Sequence, residues 1–167
     1  GLPVTASAVA GEVTLTSRWA GETGNDLDTR LNYYGEQTPS GLAVAITAMA
    51  GGTANPSVQA ALDAIAGQQY YSIVCPYLDG PNLLALEEEM KARFGPMDTL
   101  TGHVFNAKVG NHAQLTTWGN SRNSPPVRTL GLHDVPTAPW VVAAVWATIA
   151  EFSGANDPAR PFRSLAL

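Results

Sequence analysis

Charge is what this sequence has least of: 14% of its 167 residues are charged, against 45% hydrophobic. A chain of that balance buries a core and is not disordered. Much of its surface must also be neutral, and a neutral surface is easier to cover with another subunit than a heavily charged one. Lysines and arginines nowhere cluster, so the electrostatic footprint of a nucleic-acid binder is missing. Cys75 is the one cysteine, which excludes an internal disulfide and suits a reducing cytoplasm. The apolar run of the last helix candidate, Trp140 to Ala147, falls far short of the roughly 20 residues of a membrane span, so no membrane insertion is expected. No basic stretch leads into an apolar one near the start, so no signal peptide is expected. The first residue is Gly1 and not an initiator methionine, and the expectation is part of a longer polypeptide. Repeats and low-complexity segments are absent.

The motifs of common chemistry are missing too. There is no Cys-x-x-Cys, no His-Glu-x-x-His and no pair of histidines at metal spacing, so neither metal nor cofactor is expected. Gly51-Gly52 has neither the spacing nor the lysine of a phosphate loop and reads as a turn. Ser121 lies in Gly119-Asn120-Ser121-Arg122-Asn123, which is not a nucleophile elbow and suits a helix C-terminus better.

What is present suits one domain, or one domain with a small appendage. The net charge of −5 is uneven: residues 1–83 hold two basic and seven acidic residues, and residues 84–167 hold seven of each. The front, residues 1–52, reads as β and turn. Val13 and Leu15 alternate with polar neighbours, Asp28 to Tyr34 is a second strand candidate, and Leu42, Val44 and Ile46 recur at period two. From residue 53 to 167 helices and strands alternate. Asn55 as cap with Pro56 behind it predicts a helix carrying Val58, Ala61, Leu62 and Ile65, closed by Gly67. Tyr70 to Cys75 is a strand candidate. Pro81 to Phe94 predicts a helix with Leu83, Leu86, Met90 and Phe94 on one face, and with Glu87–Lys91 and Glu89–Arg93 at i,i+4 spacing. His103 to Ala107 is a strand, a helix capped by Asn111 turns Leu115 and Trp118 inward, and Val127 to Leu132 is a strand. Pro139 to Phe152 is a helix apolar almost all round, and Gly154 to Leu167 is mostly extended. The expected fold is α/β, a layered and mostly parallel sheet with flanking helices, behind a β-rich N-terminal part.

In such a sheet, functional groups gather beyond the carboxyl ends of the strands. That rule brings together Cys75, Asp79, His112, His133 and Asp134, and a hydrolase using Cys75 or Ser121 is one alternative. Cys75 also reads as a small buried hydrophobe, because Pro76 follows it and no helix begins there. Trp118, Trp140 and Trp146 fall on apolar helical patterns and read as core. Trp19 stands among polar neighbours and is the candidate exposed contact, which leaves a receptor- or carbohydrate-binding module as another alternative.

Five segments, taken together, resemble the contractile-tail sheath proteins of Mu-like bacteriophages. They are Gly21 to Arg30 (GETGNDLDTR), Val74 to Asp79 (VCPYLD), Gly102 to Phe105 (GHVF), Leu115 to Pro125 (LTTWGNSRNSP) and Asp157 to Pro161 (DPARP). Their order and spacing cover nearly the whole chain. The resemblance implies a structural subunit of a helical sheath, with other sheath subunits and the tail tube protein as partners. It implies a place in the virion tail, with the host cytoplasm as the site of assembly, and an α/β core of subtilisin-like topology without catalytic residues. Members of the family are considerably longer, so this chain is expected to lack their N-terminal portion and the C-terminal part that joins neighbours by strand exchange. Arg122 and Arg160 are the charged residues singled out as planar forks for carboxylates or backbone carbonyls. Arg160 has a second reading, in which it only pins the tail to its own domain.

Overall fold

The computed structural model describes residues 2–161. Two compact units divide them: residues 2–56 with 136–138, and residues 57–135 with 139–161.

The first unit holds an antiparallel hairpin, β1 (Val4–Val9) and β2 (Glu12–Ser17), in register from Val4↔Ser17 to Val9↔Glu12. Ala10 and Gly11 turn it, both at positive φ, as a two-residue hairpin loop requires. A 3-10 turn follows at Glu22–Asp26, and the rest of the unit has no regular structure. The strand expected over 28–34 is therefore not formed. Local polar contacts take its place: the Arg30 guanidinium pairs with the Asp28 carboxylate, and Asn32, at φ +57°, closes a turn by accepting from Gly35 N–H. Residues 42–46 have no strand partner either. Two asparagines hold the unit's polar frame. Asn25 accepts from Gly52 N–H at 2.8 Å and donates to the Gly52 carbonyl at 2.9 Å, and Asn55 accepts from Glu22 N–H at 2.8 Å. Glycine is needed at 52, because a Cβ there would run into the Gly21 carbonyl oxygen.

The second unit is the expected α/β layer. Three parallel strands, β3 (Ser72–Val74), β4 (His103–Val109) and β5 (Val127–Leu132), lie in that order with β4 in the centre. Four helices accompany them: α1 (Gln59–Ala64), α2 (Gly80–Arg93), α3 (His112–Asn120) and α4 (Pro139–Asn156). Side chains alternate across the sheet. Val104 packs with Val58, just before α1, with Leu62 of α1, and with Leu86 and Met90 of α2. Phe105 packs on the opposite face with Trp146, Ala147 and Ala150 of α4, and Ala107 with Ala143. The small residues of α4 let it lie close to the sheet. Alpha3 covers the face that Val104 shares, with Leu115 over Gly131.

Several boundaries differ from expectation. Asn55 does not cap α1, because its amide oxygen is taken by Glu22; α1 starts later, after Ser57 Oγ accepts from Gln59 N–H at 3.2 Å. Phe94, expected on the inner face of α2, is exposed, and Arg93 is buried in its stead. Helix α4 continues through Asn156, past the expected start of an extended tail. The remainder of that tail, 162–167, lies outside the described residues.

Candidate functional site

Helix α3 begins on a capping box, in which Asn111 accepts from Gln114 N–H and the Gln114 side chain accepts from Asn111 N–H, both at 2.9 Å. It ends at Ser121, whose hydroxyl donates to the Trp118 carbonyl at 2.6 Å. Arg122 follows directly and donates its backbone N–H to the Gly119 carbonyl, so the helix end fixes where its side chain leaves. The guanidinium lies 5.9 Å from the Trp118 ring centre, and Lys108 Nζ lies 5.8 Å from the same ring. One guanidinium nitrogen is 3.8 Å from a Glu87 carboxylate oxygen, close enough for attraction but too far for a hydrogen bond. Glu87, Trp118 and Arg122 border a cavity of about 190 Å³, lined also by Leu83, Ser124 and Thr129. Two cations on one indole, opposed by one loosely paired acid, suit the binding of a carboxylate or another planar acceptor.

Asn106 lies on the same sheet face as this cavity, since its register partner is Thr129. It is 0% exposed, and neither polar atom of its side chain finds a hydrogen-bond partner. A buried amide left so costs stability, and an apolar side chain relieves the cost. Asn106→Val is therefore expected to raise the unfolding free energy by about 1–2 kcal/mol, read as a higher urea midpoint. A lower midpoint would show that the amide is used.

The chemistry once open to Cys75 and Ser121 is not assembled. Burial pushes the Cys75 thiol up, and the nearby Asp79 charge pushes it the same way, outweighing the Tyr77 backbone contact. A reactive thiolate needs the opposite setting. Asp79 is engaged as the α2 cap, accepting from Asn82 N–H at 3.3 Å. Ser121 Oγ is bound within its own helix end. His112 stands exposed in the first turn of α3, and His133 and Asp134 follow β5, Asp134 at φ +51°. Among the described residues no group of three or more His, Cys, Asp or Glu is placed to hold a metal ion, and no helix is long and apolar enough to cross a membrane.

Trp19 is 60% exposed and borders a cavity of about 450 Å³ with Leu15, Ser17, Asn25, Met49 and Gly52. Arg160 is exposed, and its backbone N–H donates to the Asp157 carbonyl at 3.1 Å.

Sequence reasoning passed over two groups. Arg93 is 5% exposed and donates to Glu89 Oε1, the Gln68 carbonyl and the Ile65 carbonyl, each at 2.8 Å. Its only sequence signal is the i,i+4 spacing to Glu89. His103 lies beside Arg128 and Glu151, near the Ser72 hydroxyl that donates to Glu151. Burial lowers the His103 pKa, Arg128 lowers it further, and Glu151 opposes both. A histidine whose folded pKa is depressed contributes stability above its unfolded value and loses it as pH falls. Stability is thus expected to drop as pH falls below 6.5, before ordinary carboxylates begin to titrate. His103→Gln should flatten that slope in urea titrations, and an unchanged slope would assign it elsewhere.

No protein-family profile matches the chain. It is, however, 36% identical over 167 residues to the Mu-like prophage FluMu tail sheath protein of Haemophilus influenzae. The match takes in 99% of this chain and 34% of that protein, so the chain spans about a third of the length of the curated relative. The likeness seen in five segments thus runs the length of the chain, which belongs with the Mu-like tail sheath proteins as the counterpart of about a third of one.

Proposed function

We propose that this chain is a structural part of a contractile phage tail sheath, a subunit that polymerises around the tail tube and contracts to drive it through the host envelope. The observation that carries the reading is the 36% identity to a tail sheath protein along 99% of the chain. Its partners are other sheath subunits and the tube protein, with no direct contact to nucleic acid and no membrane insertion. Its place is the virion tail, after assembly in the host cytoplasm. The second unit serves as the sheath core, with a subtilisin-like topology. The role is conformational and not catalytic: many weak contacts, repeated over a lattice, differ between two arrangements of the subunits. The thiol of Cys75, buried and held protonated, and the engaged hydroxyl of Ser121 agree with that.

Arg122, Trp19 and Arg160 are proposed contacts of the assembled state. The Arg122 guanidinium makes no hydrogen bond to another described residue and is partly exposed, so a neighbour's carboxylate or carbonyl has access to it. Expression of the full-length protein that contains this sequence, followed by negative-stain electron microscopy, is expected to give hollow tubes. Arg122→Glu should reduce their yield while leaving the circular dichroism spectrum intact. Folded full-length protein that forms no ordered polymer at any concentration reached would overturn the sheath reading.

A further inference from the structure

Polar groups without partners collect around the cavity between α2 and α3. Its lining brings together Leu83 and Glu87, one turn apart on α2, Trp118 near the end of α3, and Thr129 of β5. Arg122 and Ser124 join it from the loop that leads from α3 to β5. The Ser124 hydroxyl is buried, and no described residue bonds it. Asn106, beside Thr129 in the register and on the same face, keeps two more polar atoms unpartnered. The Arg122 guanidinium meets only a ring face and a carboxylate 3.8 Å away, and neither contact is a hydrogen bond. Its side chain is 28% exposed and so can be reached from solution. A hydroxyl held out of solvent without an acceptor costs stability, unless a ligand supplies one.

Charge says which ligand. Lys108 approaches the same indole from β4, so two cations stand against one acid, Glu87. One positive charge is left over, which suits a single negative one. A doubly charged phosphate would bring its second charge up against Glu87. A carboxylate carries one charge on two oxygens in a plane, and a guanidinium fork with a hydroxyl beside it holds both. About 190 Å³ is space for several waters, or for an acidic side chain with its carbon stem along Leu83 and Trp118.

We infer that this cavity is a socket for the carboxylate of an aspartate or glutamate on a segment outside this chain, with Arg122 and Ser124 as its donors. The inference rests on the sheath reading for the supply of that segment, from the rest of the same polypeptide or from a neighbouring copy. Socket and plug are different surfaces, so a contact of this kind between copies joins them head to tail.

Acetate, a carboxylate with almost no stem, tests it. In heteronuclear NMR of the chain, the Trp118 indole N–H, assigned by its loss in Trp118→Phe, is expected to shift saturably with a Kd of about 10 mM. Sodium chloride at equal ionic strength should not reproduce the shift. Arg122→Gln should weaken acetate about tenfold and Ser124→Ala about fivefold. Glu87→Gln should tighten it about threefold by removing the opposing charge, an effect that a purely structural Arg122 would not show. Shifts equal to those with chloride, or a Kd unchanged in both Ser124→Ala and Glu87→Gln, overturn the inference.

Phenylglyoxal, which modifies unbound guanidinium groups, then finds the source in the full-length protein, with Arg122 followed by peptide mass spectrometry. Slow modification already in the dispersed subunit assigns the acid to the rest of the same polypeptide. Fast modification in the subunit, slowed several-fold in tubes, assigns it to a neighbouring copy. Equally fast modification in both overturns the socket and leaves the sheath standing. Saturable acetate binding by the chain, without tubes from the full-length protein, does the reverse.

Discussion

Replacing Arg93 by alanine is expected to lower the unfolding free energy by about 3 kcal/mol. The side chain is 5% exposed, and its three hydrogen bonds go to Glu89 and to the carbonyls of Ile65 and Gln68. The Ile65 carbonyl stands at the C-terminal cap of α1, where it also accepts from Gln68 N–H, and the Gln68 carbonyl lies in the turn that follows. Alpha1 is only six residues long, too short to stand without tertiary support. Its two ends are tied to the two ends of α2: Val58 N–H donates to Asn82 Oδ1 at 2.9 Å at the start, and Arg93 closes the other end. Alanine removes the fork and leaves the carbonyls and the half-buried Glu89 carboxylate without it. Lysine keeps the charge, but one ammonium does not reproduce the planar geometry that reaches three acceptors. Arg93→Lys should therefore recover less than half of the loss. Urea unfolding followed by circular dichroism checks both variants, with exposed Leu84→Ala as the control. An Arg93→Lys protein as stable as the parent would mean that charge, not the fork, holds α1.

The second unit was legible in the sequence because its punctuation is local. Asn111 with Gln114 three residues on, Pro81 at the start of α2, and Gly95-Pro96 after it each act on the backbone beside them. Strand β4 and helix α4 declared themselves by apolar content alone. The first unit misled because its signals are decided at a distance. Asn55 looks like a helix cap beside Pro56, yet its amide oxygen serves Glu22, 33 residues earlier. Asp28 to Tyr34 has strand-like alternation, but nothing in a single chain determines whether a ladder wins over the Asp28–Arg30 pair and the turn at Asn32.

The candidate site was legible in part. Arg122 and Trp118 sit in one quoted segment, and a helix end brings them together as their spacing allows. That Lys108 and Glu87 join them depends on how β4 and α2 meet α3, which sequence spacing does not contain. Arg93 makes within this chain a carbonyl-holding fork of the kind expected at Arg122 and Arg160. On a helical wheel Arg93 is one more surface ion pair with Glu89, and only the passage of α1 over it turns it into a buried clamp.

Phe105→Ala is expected to cost about 3–5 kcal/mol, the largest loss of any single truncation in the second unit. Phe105 is 1% exposed at the centre of the middle strand, and its ring meets Trp146 edge-on at 5.0 Å and 89°. Apart from Trp146, the α4 face opposite it is built of Ala143, Ala147 and Ala150, so the Phe105 and Trp146 rings together supply most of the volume between helix and sheet. Alanine at both sides of that layer leaves a cavity that a close-packed interior fills only by moving α4. The edge-to-face contact, about 0.5–1.5 kcal/mol beyond area, goes with it. Phe105→Leu keeps much of the volume and should cost no more than about 1.5 kcal/mol. The two variants also separate in dynamics. Hydrogen exchange of the α4 amides should quicken strongly in the alanine protein, because its remaining named polar tie to the sheet is the Ser72–Glu151 hydrogen bond. If Phe105→Ala instead loses less than about 1 kcal/mol, α4 settles onto the sheet without the ring, and its alanine face, not the Phe105–Trp146 pair, is what holds that layer together.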